Sequence, residues 1–152
     1  MADEKCTLRS LALQGNHLHK EGAKNLSKEM AHNKSIQTLN LNANQIGVEG
    51  TKAVAQLLKV NSKLTTLFLF NNNVDVDGAR SLKEALAINT SLEILDVGYN
   101  RLRKKGLSAL AEGIFTNEKS ALRSLALRNN FLSDDTVLDF IKMNRKNKNH
   151  TL

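Results

Sequence analysis

A His-x-His pair can supply two ligands to a metal, and His17 and His19 form one such pair. No Cys, His or acid joins them at ligand spacing, so a surface role is expected and no metal. Cys6, the single cysteine, has no motif around it and lies near a terminus, which makes it a poor candidate for a nucleophile. Serines and aspartates are scattered without a nucleophile elbow. The glycines recur at long regular intervals and form no phosphate-binding loop. The chain is expected to be non-catalytic and to need no cofactor.

What remains is chemistry of contact. The stretch "LTTLFLFNNN", Leu64 to Asn73, alternates with period two. Leu67 and Leu69 then point to one face of a strand, and Phe68 and Phe70 to the other. A half-buried strand normally keeps one face polar, yet here both are apolar. The chain holds only five Phe and one Tyr, so two Phe in one strand call for a reason. A second feature is "RLRKK", Arg101 to Lys105, with four cations in five residues.

Composition sets the frame. A chain of 152 residues is enough for one domain with a real core. No run approaches the roughly 18 apolar residues of a membrane span. The charged start "MADEKCTLRS" has no signal-peptide core. A lone cysteine fits a reducing cytosol, so a cytoplasmic location is expected. Glycosylation sequons at Asn25, Asn33, Asn89 and Asn149 read as chance in an Asn-rich chain. The net charge of +7 allows an acidic partner without demanding one.

The elements that position these groups come from an internal repeat. Five segments align: "LRSLALQGNHL" from Leu8, "IQTLNLNANQI" from Ile36, "LTTLFLFNNNV" from Leu64, "LEILDVGYNRL" from Leu92 and "LRSLALRNNFL" from Leu122. Asn16, Asn44, Asn72, Asn100 and Asn130 hold the same place in each. Gly22, Gly50, Gly78 and Gly106 follow six residues later. Then come apolar residues at helical spacing: Leu26, Val54, Leu82, Leu110 and Phe140, with Met30, Leu58, Leu86 and Ile114 beyond them. Asn33, Asn61, Asn89, Asn117 and Asn147 close the units, read as helix stops in the left-handed conformation. Each unit is a strand, a turn and an amphipathic helix.

This pattern resembles the leucine-rich repeat proteins of the ribonuclease-inhibitor-like class, over essentially the whole chain. The resemblance implies an α/β solenoid shaped as a horseshoe arc. A parallel β-sheet lines its concave face and α-helices its convex face. One domain, 1–152, is expected, with strands near 10–14, 38–42, 66–70, 94–98 and 124–128. A single strand–helix unit cannot bury its own apolar face, so neighbours must stack. The asparagines Asn16, Asn44, Asn72, Asn100 and Asn130 are assigned a structural role. A buried carboxamide both donates and accepts, and so satisfies backbone groups where the chain turns inward.

In register, the concave face carries three columns. They are Ser10, Thr38, Thr66, Ile94 and Ser124; Ala12, Asn40, Phe68, Asp96 and Ala126; and Gln14, Asn42, Phe70, Gly98 and Arg128. Phe68, Phe70 and Ile94 make an apolar centre, with Gly98 as a dip beside Phe70. Asp96, Tyr99, Arg101 and Arg128 make a polar rim, and these seven residues are the candidate partner-binding set. Arg103, Lys104 and Lys105 are a candidate contact for an acidic partner. Lys105 opposes the helix dipole, where the other units carry Glu21, Glu49, Asp77 and Asp135.

Leu152 falls where a sixth strand would begin, so the chain is either part of a longer array or closed by its atypical fifth helix acting as a cap. The cap reading is preferred. The resemblance implies a protein partner gripped on the concave face, as in ribonuclease inhibitors, innate-immune sensors and bacterial effectors delivered to a host cytosol. A regulator similar to the Ran GTPase-activating proteins is an alternative. Another is binding of anionic membrane or nucleic acid through the basic run, although neither is an expected partner. Self-association through the apolar face is a further expectation.

Overall fold

Every unit solves the same problem with the same residues. In the computed structural model, which describes residues 7–146, five short strands alternate with five helices. The strands are β1 (Ser10–Ala12), β2 (Thr38–Asn40), β3 (Thr66–Phe68), β4 (Ile94–Asp96) and β5 (Ser124–Ala126). The helices are α1 (His19–Met30), α2 (Gly47–Val60), α3 (Val76–Leu86), α4 (Arg103–Thr116) and α5 (Asp134–Lys146). The strands form one parallel sheet in sequence order. The register runs Ala12, Asn40, Phe68, Asp96, Ala126 across all five. Each strand ends two residues earlier than the sequence pattern predicts. Ladder bonds continue past that point, as in Leu41 N–H to the Phe68 carbonyl and Ala43 N–H to the Phe70 carbonyl.

The core lies between sheet and helices. Leu39, Leu67 and Leu95 point inward from the strands and are fully buried against Val54, Leu82 and Leu110 of the helix row. Packed helices need about 8–10 Å of spacing and paired strands about 4.8 Å, so the array curves towards the strands. Close helix approach depends on small residues. A methyl added at Gly50 or Gly78 would press on the preceding helix at Ala23 or Thr51. One added at Gly113 would run into the Lys83 backbone.

Two asparagine ladders tie the units together. At the strand exits, Asn72 is fully buried. Its Nδ2 donates to the Leu41 and Phe70 carbonyls, and its Oδ1 accepts from Asn44 N–H and Ile46 N–H. Asn44 and Asn100 repeat this scheme, while Asn130 keeps the carbonyl bonds and accepts from Leu102 N–H. Asn16 is exposed at the first unit and bonds only locally through its side chain, to the Leu13 and Gln14 carbonyls.

The second ladder corrects the helix-stop expectation. Asn61 and Asn117 end their helices at φ −82 and −92, outside the left-handed region. They act through their side chains instead. Asn61 Oδ1 accepts from Lys63 and Leu64 N–H, and its Nδ2 reaches back to the Met30 and Asn33 carbonyls of the previous unit. Asn89 and Asn117 do likewise. Left-handed backbone occurs at the neighbours of the first ladder: Ala43 and Gln45, Asn71 and Asn73, Tyr99, Asn129 and Phe131.

The fifth helix also departs from expectation. It exposes Val137, Leu138, Ile141 and Met143, so it is not a polar cap. Its inner side touches the array through Phe140 on Phe115, with ring centroids 5.6 Å apart, and through buried Thr136. The outer side of α1 is the more polar one, with Asn25, Lys28 and Glu29 exposed. Cys6, Asn147, Asn149 and Leu152 lie outside the described residues.

Three stability measurements check this scheme. Replacing Asn72 with alanine strands several buried backbone groups and is expected to cost roughly 3–5 kcal/mol in denaturant unfolding. Asn16→Ala at the exposed end is expected to cost under about 1 kcal/mol. Gly113→Ala gains helix propensity but forces α3 and α4 apart, with an expected net loss of about 1–3 kcal/mol.

Candidate functional site

The concave face is built by the alternation that fills the core. Leu67 and Leu69 are buried, which turns Phe68 and Phe70 outward, half-exposed, at the middle strand of the sheet. Ile94 stands beside Thr66 in the next column, also half-exposed. The flanking strands offer Ser10, Ala12, Thr38, Asn40, Ser124 and Ala126, all small or polar.

The rim is more organised than the columns alone reveal. The Arg128 guanidinium lies 4.8 Å from the centre of the Phe70 ring and donates to Asp96 Oδ2 at 3.0 Å. Asp96 is 7% exposed, and its Oδ1 accepts from Gly98 N–H at 2.8 Å. Both carboxylate oxygens of Asp96 are thus engaged inside the fold, and they hold Arg128 over Phe70. The expected dip at Gly98 is filled. A methyl there would stand 3.0 Å from Arg128 Cγ and 3.1 Å from the Phe70 ring. Tyr99 also packs against Phe70, with ring centroids 5.5 Å apart. Phe70, Tyr99, Arg128 and Asp96 therefore form one cluster. Ion pairing, a cation–π contact and ring packing hold it together.

Arg101 is exposed at the strand exit, beside Tyr99. It helps to line a cleft of about 510 Å³ with Asn71, Asn73, Tyr99, Asn129 and Phe131. Phe131, 76% exposed, is a residue that the sequence pattern passes over as a spacer. The signal for it was available: Phe131 shares a column with His17, Gln45, Asn73 and Arg101, just after the ladder asparagine of each unit.

The rest of the basic run lies at the start of α4. Arg103, Lys104 and Lys105 are exposed, and Lys104 approaches Asp139 of α5 at 3.8 Å. One of its cations thus serves an inter-helix pair. On the convex surface Glu84 meets Lys59 and Glu112 meets Lys83 in the same way. The Lys59 hydrogen bond holds the exposed Glu84 carboxyl below its ordinary pKa. His17 and His19 are exposed and stacked 6.1 Å apart, with His17 hydrogen-bonded to Gln45. Among the described residues no group of three or more His, Cys, Asp or Glu could hold a metal. Among them, too, no helix is long and apolar enough to cross a membrane.

With the geometry in place, the comparisons define the class. The leucine-rich repeat family profile matches residues 4–27, 32–55, 60–83 and 89–111, and the chain belongs to that family. The fifth unit lies beyond the matched segments. Among solved structures, "Leiomodin-1 Actin-Binding Site 2 (ABS2)" is similar, with a TM-score of 0.72 at 18% identity. The match covers 95% of this chain and 84% of that one. At that identity the likeness is one of fold. No curated protein matches the sequence.

Removing Arg128 leaves the buried Asp96 carboxylate with only its Gly98 bond. Arg128 is itself half-exposed, so Arg128→Ala is expected to cost about 1–2 kcal/mol in chemical denaturation. The combined Asp96→Asn/Arg128→Ala variant is expected to cost less than the sum of the two single changes.

Proposed function

We propose that the chain is a non-catalytic protein-interaction module that docks a partner on its concave face, centred on Phe68 and Phe70. One observation carries this reading. Two phenylalanines and Ile94 stay half-exposed at the middle of a sheet whose other outward residues are small or polar. Nothing in the repeat requires aromatic side chains there, since the same columns hold Ala12, Asn40 and Ala126, or Gln14 and Asn42. An apolar centre within a charged rim is how interface hot spots are built. Burying each ring against a partner would contribute roughly 1.5–3 kcal/mol. The similar leiomodin-1 fold is titled an actin-binding site, which supports a protein as the partner class.

The long helix in every unit supports the ribonuclease-inhibitor-like class. The single cysteine supports a reducing, cytoplasmic setting. The membrane and nucleic-acid alternative has less support. Lys104 is paired within the fold, and no aromatics interleave the basic run.

The test compares capture of partners from cell lysate by the wild type and by Phe68→Ala/Phe70→Ala, both first shown to be folded. A partner held by the wild type and lost by the variant is the expected result. Equal retention of every partner would reduce the two rings to sheet packing. Binding is also expected to change shallowly with salt, whereas a phosphate ligand on the basic run would weaken steeply.

A further inference from the structure

The cleft at the strand-exit edge has a composition of its own. Its walls are two exposed rings, Tyr99 at 54% and Phe131 at 76% exposure. Both sit on left-handed backbone, at φ +53 and +57. That conformation suits Gly or Asn and is costly for bulky residues. Units elsewhere place Gly15, Ala43, Asn71 and Asn129 at the Tyr99 position, and His17, Gln45, Asn73 and Arg101 at the Phe131 position. The turn itself therefore does not call for aromatics.

Apart from the ladder residue Asn100, the polar lining is unspent. Among the described residues, no hydrogen bond or ion pair engages the side chains of Asn71, Asn73, Asn129 or Arg101, or the Tyr99 hydroxyl. No carboxylate lines the cleft, so Arg101 is a cation facing it without a counter-charge. Three carboxamides, each able to donate and accept, flank Arg101 on both sides: Asn71 and Asn73 from the turn after β3, and Asn129 from the turn after β5. An extended peptide backbone, which alternates N–H and C=O, is their complement.

We propose that this cleft reads an acidic peptide segment of the partner. A carboxylate pairs with Arg101, an adjacent apolar side chain lies between Tyr99 and Phe131, and the carboxamides hold the backbone. The inference rests on the reading of the concave face as a protein-docking surface, and it names the chemistry of the segment at its edge.

The experiment is a two-dimensional amide NMR titration of the full chain with two acetylated, amidated tetrapeptides, Gly-Phe-Asp-Gly and Gly-Phe-Asn-Gly, and with inorganic phosphate. The expected result is saturable shifting of Asn71, Tyr99, Arg101 and Phe131 signals by the Asp peptide. The Asn peptide should bind about fivefold more weakly, close to 1 kcal/mol. Arg101→Gln should abolish that difference, and Phe131→Ala, at an exposed site, should weaken both peptides. Equal affinity for the two peptides would overturn the proposal. So would the absence of saturable shifts at those residues, or equally strong shifts with phosphate. Phe68→Ala, which leaves the Phe70–Tyr99 contact in place, should still bind the tetrapeptide. Loss of the partner with retention of the peptide therefore separates this inference from the docking reading beneath it.

Discussion

The buried carboxamide at each strand exit is the interaction on which the rest depends. A parallel sheet of three-residue strands must turn its chain inward at every unit, over the end of the core. That turn removes backbone N–H and C=O groups from water at four successive places. An unpaired buried group costs about 1–3 kcal/mol, so an unfilled turn would cancel much of the core's contribution. Asn44, Asn72 and Asn100 each answer with bonds to their own turn and to the unit before, and Asn130 closes the series. The ladder thus fixes both the turn and the register between neighbours. Register in turn makes the outward columns, and the columns make the face.

The second ladder does the same at the other end of the units. With Asn61, Asn89 and Asn117 bonding back to the preceding helix end, each helix is tied to its neighbour by side-chain amides as well as by leucines. Small residues on the helices then allow close approach, which α5 lacks. It carries Thr136 where the other helices carry glycine, and it leaves a cleft against α4 lined by Leu107, Ala111, Phe140 and Met143. The tight packing of the array therefore fades at its fifth unit.

Most of this was legible in the sequence because the repeat is read five times. The columns, the strand order and the first ladder follow from a near-constant period and from the twofold alternation within each strand. What was not legible has physical causes. An asparagine at a helix end can act through its backbone or its side chain, and spacing alone does not distinguish them; Asn61 and Asn117 use the side chain. Gly98 reads as a dip because the residue that fills it, Arg128, arrives from the next unit. The fifth helix reads as polar from its Lys and Asn content. Yet Val137, Leu138 and Ile141 face outward because no helix follows them among the described residues. Phe131 was hidden in a spacer position, although its column could be aligned.

The central proposal is a division of labour: leucines and asparagines hold the array, and the outward phenylalanines serve a partner more than the fold. Equilibrium denaturation of Phe68→Ala/Phe70→Ala beside Leu67→Ala tests it most directly. Leu67 is fully buried, and its loss should cost about 2–5 kcal/mol. The account predicts that the double phenylalanine variant loses less than this single leucine variant. A double variant as unstable as Leu67→Ala, or more so, would show that the rings hold the sheet and would contradict the account.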